Sequence, residues 1–211
     1  MADAVIAVIP ARYASTRFPG KALAQIGGKT MIVRVLERVG KARGISRVLV
    51  ATDDERIASV VRAAGGEAVM TRSDHSSGTE RMAEVAESHV SPLYLNVQGD
   101  EPLVEPSALE ALIEAMLTPQ GGEAAAGVAT LATPLKDRFD AADPRVVKVV
   151  TDLADNALYF SRAPIPHTRD AAAPGAAGES RKPRPPQWKH LGVYLFRRDV
   201  LLAFPKLSPG R

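Results

Sequence analysis

The sequence predicts an α/β fold, a mainly parallel or mixed twisted sheet with helices on both faces. Two observations carry this expectation. Short apolar runs rich in β-branched residues alternate along the chain with segments whose apolar positions recur at helical spacing, and such alternation implies right-handed crossovers between parallel strands. The composition is that of one soluble globular domain: 211 residues, 45% apolar and 24% charged, with 16 Gly and 16 Pro.

The elements follow in order. Val5-Ile6-Ala7-Val8-Ile9, closed by Pro10, reads as a buried parallel strand, and a polar loop runs from Ala11 to Lys21. Met31, Val35, Leu36 and Val39 recur at helical spacing, with Gly40 or Gly44 as the stop. A second strand, Arg47 to Ala51, ends in Thr52-Asp53-Asp54, where an Asx or Thr cap starts a helix from Glu55 to Ala64 before Gly65-Gly66. The pattern repeats with a strand from Glu67 to Met70, a helix from about Thr79 to Glu87, a strand from Tyr94 to Gln98 and a helix from about Pro106 to Leu117. Later strands are expected at 126–133, 146–151 and 191–196, and a short helix at 199–204. Between the last two strands, Arg169 to Gln187 is rich in Ala, Gly, Pro and basic residues and reads as a long mobile loop.

The absence of cysteine excludes a disulfide scaffold, a thiolate zinc site and a cysteine nucleophile. No run of about 18 apolar residues occurs, and Met-Ala-Asp-Ala-Val-Ile lacks the basic flank and cleavage site of a signal peptide. A cytoplasmic enzyme without a membrane partner is expected. The formal net charge is +3, but residues 169–211 hold nine basic and three acidic side chains. The basic balance therefore comes from the tail, and no nucleic-acid partner is read from it.

In an open parallel sheet, ligands bind at the carboxyl ends of the strands. The loop after the first strand, from Pro10 to Lys21, lacks both GxGxxG and GxxxxGK[ST], so hydride transfer and P-loop phosphoryl transfer lose their main support. Arg12, Arg17 and Lys21 either surround a triphosphate, the guanidiniums gripping its oxygens bidentately, or are three solvated charges. In Asn96-Val97-Gln98-Gly99-Asp100-Glu101-Pro102, Asp100 is the candidate ligand for Mg2+, which is usually bound by one or two carboxylates plus substrate phosphates. The alternative is a turn-forming Asp. Within Asp74 to Arg81, Ser77 or Thr79 can cap the following helix, and the free N–H groups there can receive a base edge or an anion. His75 has no second His or carboxylate at metal-ligand spacing and reads as a surface histidine. Tyr159 to Pro166 and Lys189 to Tyr194 set aromatics beside Arg and His. They suit either a pocket for an acidic, hydroxylated small molecule, with Arg162 as carboxylate partner, or plain core packing.

The order IPARYASTRFPGK, DHSSGTER, NVQGDEP, YFSRAPIP and HLGVY, from Ile9 to about Tyr194, resembles the 3-deoxy-manno-octulosonate cytidylyltransferases, or CMP-Kdo synthetases. The resemblance implies a nucleotidyltransferase-like (Rossmann-like, GT-A-like) α/β fold over residues 1–211. A nucleotide-binding core would span about 1–135, and a smaller sugar-binding and dimerisation part about 136–211. It implies conversion of Kdo and CTP into CMP-Kdo and pyrophosphate for lipopolysaccharide biosynthesis, by Mg2+-assisted attack of the anomeric hydroxyl on the α-phosphate, in a homodimer. By the same resemblance Arg12, Arg17 and Lys21 handle the triphosphate, Arg12, Lys21 and Asp100 being catalytic. Ser77, Gly78, Thr79 and Arg81 bind the nucleotide, Asp100 binds magnesium, and Gln98, Arg162, His190 and Tyr194 face the sugar. The competing expectations are a cytidylyltransferase for another acidic sugar, of the sialic-acid type, and an inactive CTP-binding relative.

One departure accompanies the resemblance. The family continues into a GVDTPEDL-like stretch whose Asp is a second magnesium ligand, and nothing in the 211 residues matches it. The 211-residue form alone is therefore expected to show little turnover.

Overall fold

Strand β1 (Val5–Ala11) takes parallel partners on both sides, β4 (Ile45–Thr52) and β6 (Leu93–Asn96). Its near-continuous apolar run suits a strand covered on both faces. The structure, a computed structural model, describes residues 5–14, 18–118, 126–135, 138–167 and 187–208. The chain divides into two compact units, residues 1–130 with 192–211, and residues 131–191.

In the first unit, β5 (Glu67–Met70) lies parallel beyond β4, and residues 194–197 of β10 (Trp188–Arg197) run antiparallel to β6. The sheet is therefore mixed, as expected. Ile6 and Val8 of β1 pack with Met82, Ala83, Val85 and Ala86 of α3 (Gly78–Ser88). Alternate residues of a strand point to the opposite face. Helix α1 (Met31–Val39) packs on β1 and contacts α2 (Glu55–Ala63) and α4 (Pro106–Leu117), whereas α3 contacts α6 (Arg198–Ala203). Helices thus form two groups about the sheet.

Local sequence explains most boundaries. Asp54 caps α2 by accepting the Arg56 N–H at 2.9 Å, and Thr52 Oγ1 accepts the Asp54 N–H at 3.2 Å. Ser77 caps α3 by accepting the Glu80 N–H at 3.2 Å. The Glu80 carboxylate reaches back to Ser76, 2.8 Å from its N–H and 2.5 Å from its hydroxyl, a reciprocal cap that holds Glu80 below the usual carboxylate pKa. Pro10 does not close β1. It shares the parity of Val8, whose carbonyl accepts the Val97 N–H at 3.1 Å, and β6 has ended where an N–H of residue 10 would point. No ladder bond is lost to the proline ring.

Other differences have similar causes. The hairpin of β2 (Gln25–Ile26) and β3 (Lys29–Thr30) is too short to show any periodicity. Strand β7 (Val128–Pro134) pairs with β10, and Thr130 Oγ1 donates to the Val193 carbonyl at 2.7 Å. In the second unit, a short helix α5 (Arg138–Ala142) precedes β8 (Lys148–Thr151). β8 pairs antiparallel with β9 (Ala157–Ser161) on one side and with residues 188–189 on the other. The sequence predicts no β9, and its Tyr159-Phe160 pair reads there as either pocket lining or core packing. Residues 168–186, nearly all of the expected mobile loop, lie outside the described residues. Among the described residues no helix is long and apolar enough to cross a membrane.

Tyr94 ties the core to a loop. Its ring is fully buried, its hydroxyl donates to the His89 carbonyl at 2.6 Å and accepts the Ser91 N–H at 2.9 Å. Tyr94→Phe removes one partner from each of those groups, and a loss of about 1–3 kcal/mol is expected in urea unfolding. An unchanged urea midpoint would show the two bonds to be energetically idle.

Candidate active site

The carboxyl ends of β1 and β6 open into a cavity of about 630 Å³ within the first unit. Three segments build it. Pro10, Ala11 and Arg12 come from the end of β1, with Phe18, Lys21 and Ala22 from the loop beyond. His75, Ser76, Ser77, Gly78 and Arg81 come from the start of α3, and Gln98, Gly99 and Asp100 from the turn after β6. This is where an open α/β sheet places ligands. Of the residues expected at a nucleotide, Arg12, Lys21, Ser77, Gly78 and Arg81 line the cavity together. Thr79 is not among its lining residues, and Arg17 lies outside the described residues.

The turns that hold these side chains depend on close backbone approach. Gly20 adopts φ +71° and donates its N–H to the Tyr13 carbonyl at 2.9 Å, and a Cβ there would meet the Tyr13 ring at 3.0 Å. The Arg56 guanidinium lies 3.4 Å from the centre of the same ring, a cation–π contact that anchors the loop to α2. A Cβ on Gly99 would stand 3.0 Å from the Pro10 carbonyl oxygen, so the turn carrying Asp100 packs directly against β1.

Charge in the cavity is arranged in two ways. Arg12 is exposed, and its guanidinium makes no ion pair or hydrogen bond among the described residues. Lys21 Nζ lies 2.5 Å from Asp100 Oδ2, both groups partly open to solvent. Arg81 is different. Its side chain is only 4% exposed, bonded through Nη1 to the Thr71 hydroxyl and through Nη2 to Asp53 at 3.2 Å. Arg81 thus ties α3 to the ends of β4 and β5 as well as lining the cavity.

His75 corrects the sequence reading. Its ring is 5% exposed rather than on the surface, and Nε2 is bonded to the Glu84 carboxylate. Burial raises the Glu84 pKa, but the bonds from His75 and from the Arg72 N–H outweigh it and leave the group below its usual value. The partner Glu84 sits nine residues away on the following helix, a spacing that resembles no metal-ligand motif.

The residues expected at an acidic sugar are spread over both units. In the first, Gln98 lines the cavity and its Nε2 donates to Asn96 Oδ1 at 3.2 Å. Tyr194 packs against the core cluster around Ile6 and Tyr94, and burial raises its pKa. In the second, Arg162 Nη1 donates to the Pro144 carbonyl at 2.8 Å, and the His190 ring meets Phe160 edge-on, centroids 4.9 Å apart. Tyr159 and Phe160 are exposed rather than core aromatics.

Burial holds His190 below its ordinary pKa of 6.5. As the pH falls through 6.5, the unfolded chain takes up this proton before the folded one, so folding stability declines with acidity in that window. Between about pH 7 and 5, His190→Gln is expected to lose less stability than the parent. Equal acid slopes in the two urea-midpoint profiles would contradict this.

Among the described residues, no cluster of three His, Asp or Glu side chains forms a ready metal cage. Asp100, an accessible carboxylate beside Lys21 and in one cavity with Arg12, instead suits a magnesium ion shared with substrate phosphates.

Comparison with known proteins gives a consistent picture. A family model described as Cytidylyltransferase matches residues 6–209. The 3-deoxy-manno-octulosonate cytidylyltransferase of Syntrophotalea carbinolica is 52% identical over 203 residues, 96% of this chain and 79% of that relative. Its namesake from Geobacter metallireducens is 49% identical over 97% of this chain and 79% of the relative. A solved structure of CMP:2-keto-3-deoxy-manno-octonic acid synthetase complexed with CTP matches with TM-score 0.86 and 43% identity, covering 99% of this chain and 79% of that one. At 16% identity, a 4-diphosphocytidyl-2C-methyl-D-erythritol synthase shares the fold alone, with TM-score 0.61.

Proposed function

The chain belongs to the 3-deoxy-manno-octulosonate cytidylyltransferase family, and from that premise we propose the reaction it performs and the residues that perform it. It is a nucleotidyltransferase that converts CTP and Kdo into CMP-Kdo and pyrophosphate, supplying activated Kdo for lipopolysaccharide. The observation that carries the assignment of the site is the gathering of Arg12, Lys21 and Asp100 with the capped start of α3 in one cavity.

In the reaction, the anomeric hydroxyl oxygen of Kdo forms a bond to the α-phosphorus as the bond to the bridging oxygen breaks. The electron pair leaves with pyrophosphate, and the hydroxyl proton passes to solvent water. Negative charge grows on the bridging oxygen, where Arg12, Arg17 and Lys21 would lower the barrier by fixed positive charge. Ser77, Gly78 and Thr79, at the start of α3, would take the nucleotide, with Arg81 holding that helix in place. Magnesium, when bound, would be held by Asp100 and the phosphates and would supply Lewis-acid charge at the reacting oxygens.

Gln98 and Tyr194 on the first unit, and Arg162 and His190 on the second, are assigned to the sugar acid, Arg162 as partner of its carboxylate. A homodimer is supported by the second unit's exposed apolar side chains Leu153, Leu158 and Tyr159 on and beside β9. The reaction is placed in the cytoplasm, where CTP is made.

A panel of sugar acids, each given to the full-length protein with CTP and magnesium, tests the substrate. Pyrophosphate release with Kdo, at least about tenfold above that with a sialic acid, is expected from differential binding in the sugar pocket. Preference for a sialic acid would replace Kdo by that sugar, and CTP binding without release from any sugar would mark an inactive relative.

A further inference from the structure

The second unit contains a fully buried ammonium. Lys148 stands in Val146-Val147-Lys148-Val149-Val150 at 0% exposure, and Nζ donates to three main-chain carbonyls: Asp143 at 3.0 Å, Val146 at 2.7 Å and Arg162 at 2.6 Å. Three donors meet three acceptors, so the group is buried without an unmade bond. An apolar side chain there would leave three carbonyls without this donor, so the bonds offset the cost of burying the charge. What the ammonium adds is geometry. It joins the 143–146 turn at the start of β8 to the chain leaving β9 at Arg162.

The same short segment holds the other residue assigned to the sugar in this unit. The Arg162 guanidinium donates to the Pro144 carbonyl at 2.8 Å, and the His190 N–H donates to the Val147 carbonyl at 2.8 Å. Residues 143–148 therefore fix Arg162 at its main chain and its side chain, and His190 at its main chain. We propose that Lys148 is a positioning residue for the sugar acid, setting the place of Arg162 and, through β8, of His190, without touching substrate. The proposal rests on the assignment of Arg162 and His190 to the sugar.

The test is steady-state pyrophosphate release by the full-length protein carrying Lys148→Met, an uncharged residue of similar length. KM for Kdo is expected to rise on the order of tenfold or more, because small displacements of an orienting group are costly. KM for CTP, whose cavity lies in the first unit, should stay within about twofold. A merely structural role would move both substrates together or neither, and either result with folded protein overturns the proposal. If Lys148→Met is insoluble, Lys148→Gln, which can still serve two of the three carbonyls, decides by the same split. Arg162→Ala separates the two layers of inference. If it raises KM for Kdo and Lys148→Met does not, the positioning role fails while the site assignment stands. If Arg162→Ala leaves KM for Kdo unchanged, the assignment fails and the proposal with it. Where both singles raise KM, the double variant should fall short of their combined effect, exceeding Arg162→Ala only by what Lys148 contributes through His190, and full additivity would place Lys148 on a separate route.

Discussion

Asp100→Ala is expected to lower Kdo-dependent pyrophosphate release on the order of 100-fold or more while leaving the fold intact. The two halves of this expectation come from different features. Asp100 is accessible, at the end of a turn held by Gly99 against β1, and among the described residues it is the acidic side chain lining the cavity. Its loss removes the carboxylate proposed to hold magnesium against the phosphates. Its tie to Lys21, however, is a solvent-facing ion pair, and such pairs contribute about 0–1 kcal/mol. Urea unfolding should therefore barely move. A variant that retains more than about a third of parental turnover would remove Asp100 from the reaction, and one that unfolds would make it a structural residue instead.

Arg81→Met is expected to act in the opposite way, through stability. The guanidinium is buried against Asp53 and Thr71, and its removal leaves a mostly buried carboxylate and a hydroxyl without their cation. Deleting one partner of a buried pair is costly, and about 3 kcal/mol is expected here, at the low end for such pairs because Asp53 retains some solvent access. Urea denaturation monitored by circular dichroism reads it directly. A loss under about 1 kcal/mol accompanied by abolished CTP binding would instead make Arg81 chiefly a nucleotide contact, as the motif resemblance alone implies.

The contrast between Arg81 and Asp100 shows what a sequence can disclose. Features decided within a few residues were legible: the apolar run of β1, the caps, narrowed to Thr52–Asp54 and to Ser77 or Thr79, the glycine that ends α1 and the turn after β6. The loops of the candidate site were legible as well: Arg12, Lys21 and Asp100 follow expected strands and Ser77 precedes an expected helix, and the fold brings all four to one cavity. Burial of a charged side chain was not. Arg81 is enclosed by Asp53, 28 positions away, and Lys148 by the carbonyl of Arg162, 14 positions away. His75 reads as a surface residue until Glu84 is folded against it. Each depends on which segments pack together, and no periodicity reports that. Lys148 left a faint mark, a lone cation in a run of valines, but its meaning needs the three carbonyls.

The most direct test of the central claim is pyrophosphate release by the full-length protein given CTP, magnesium and Kdo, with each omitted in turn. The account predicts release only when all three are present, accompanied by equimolar CMP-Kdo. Release from CTP without Kdo, or none with all three present although CTP binds, would contradict it.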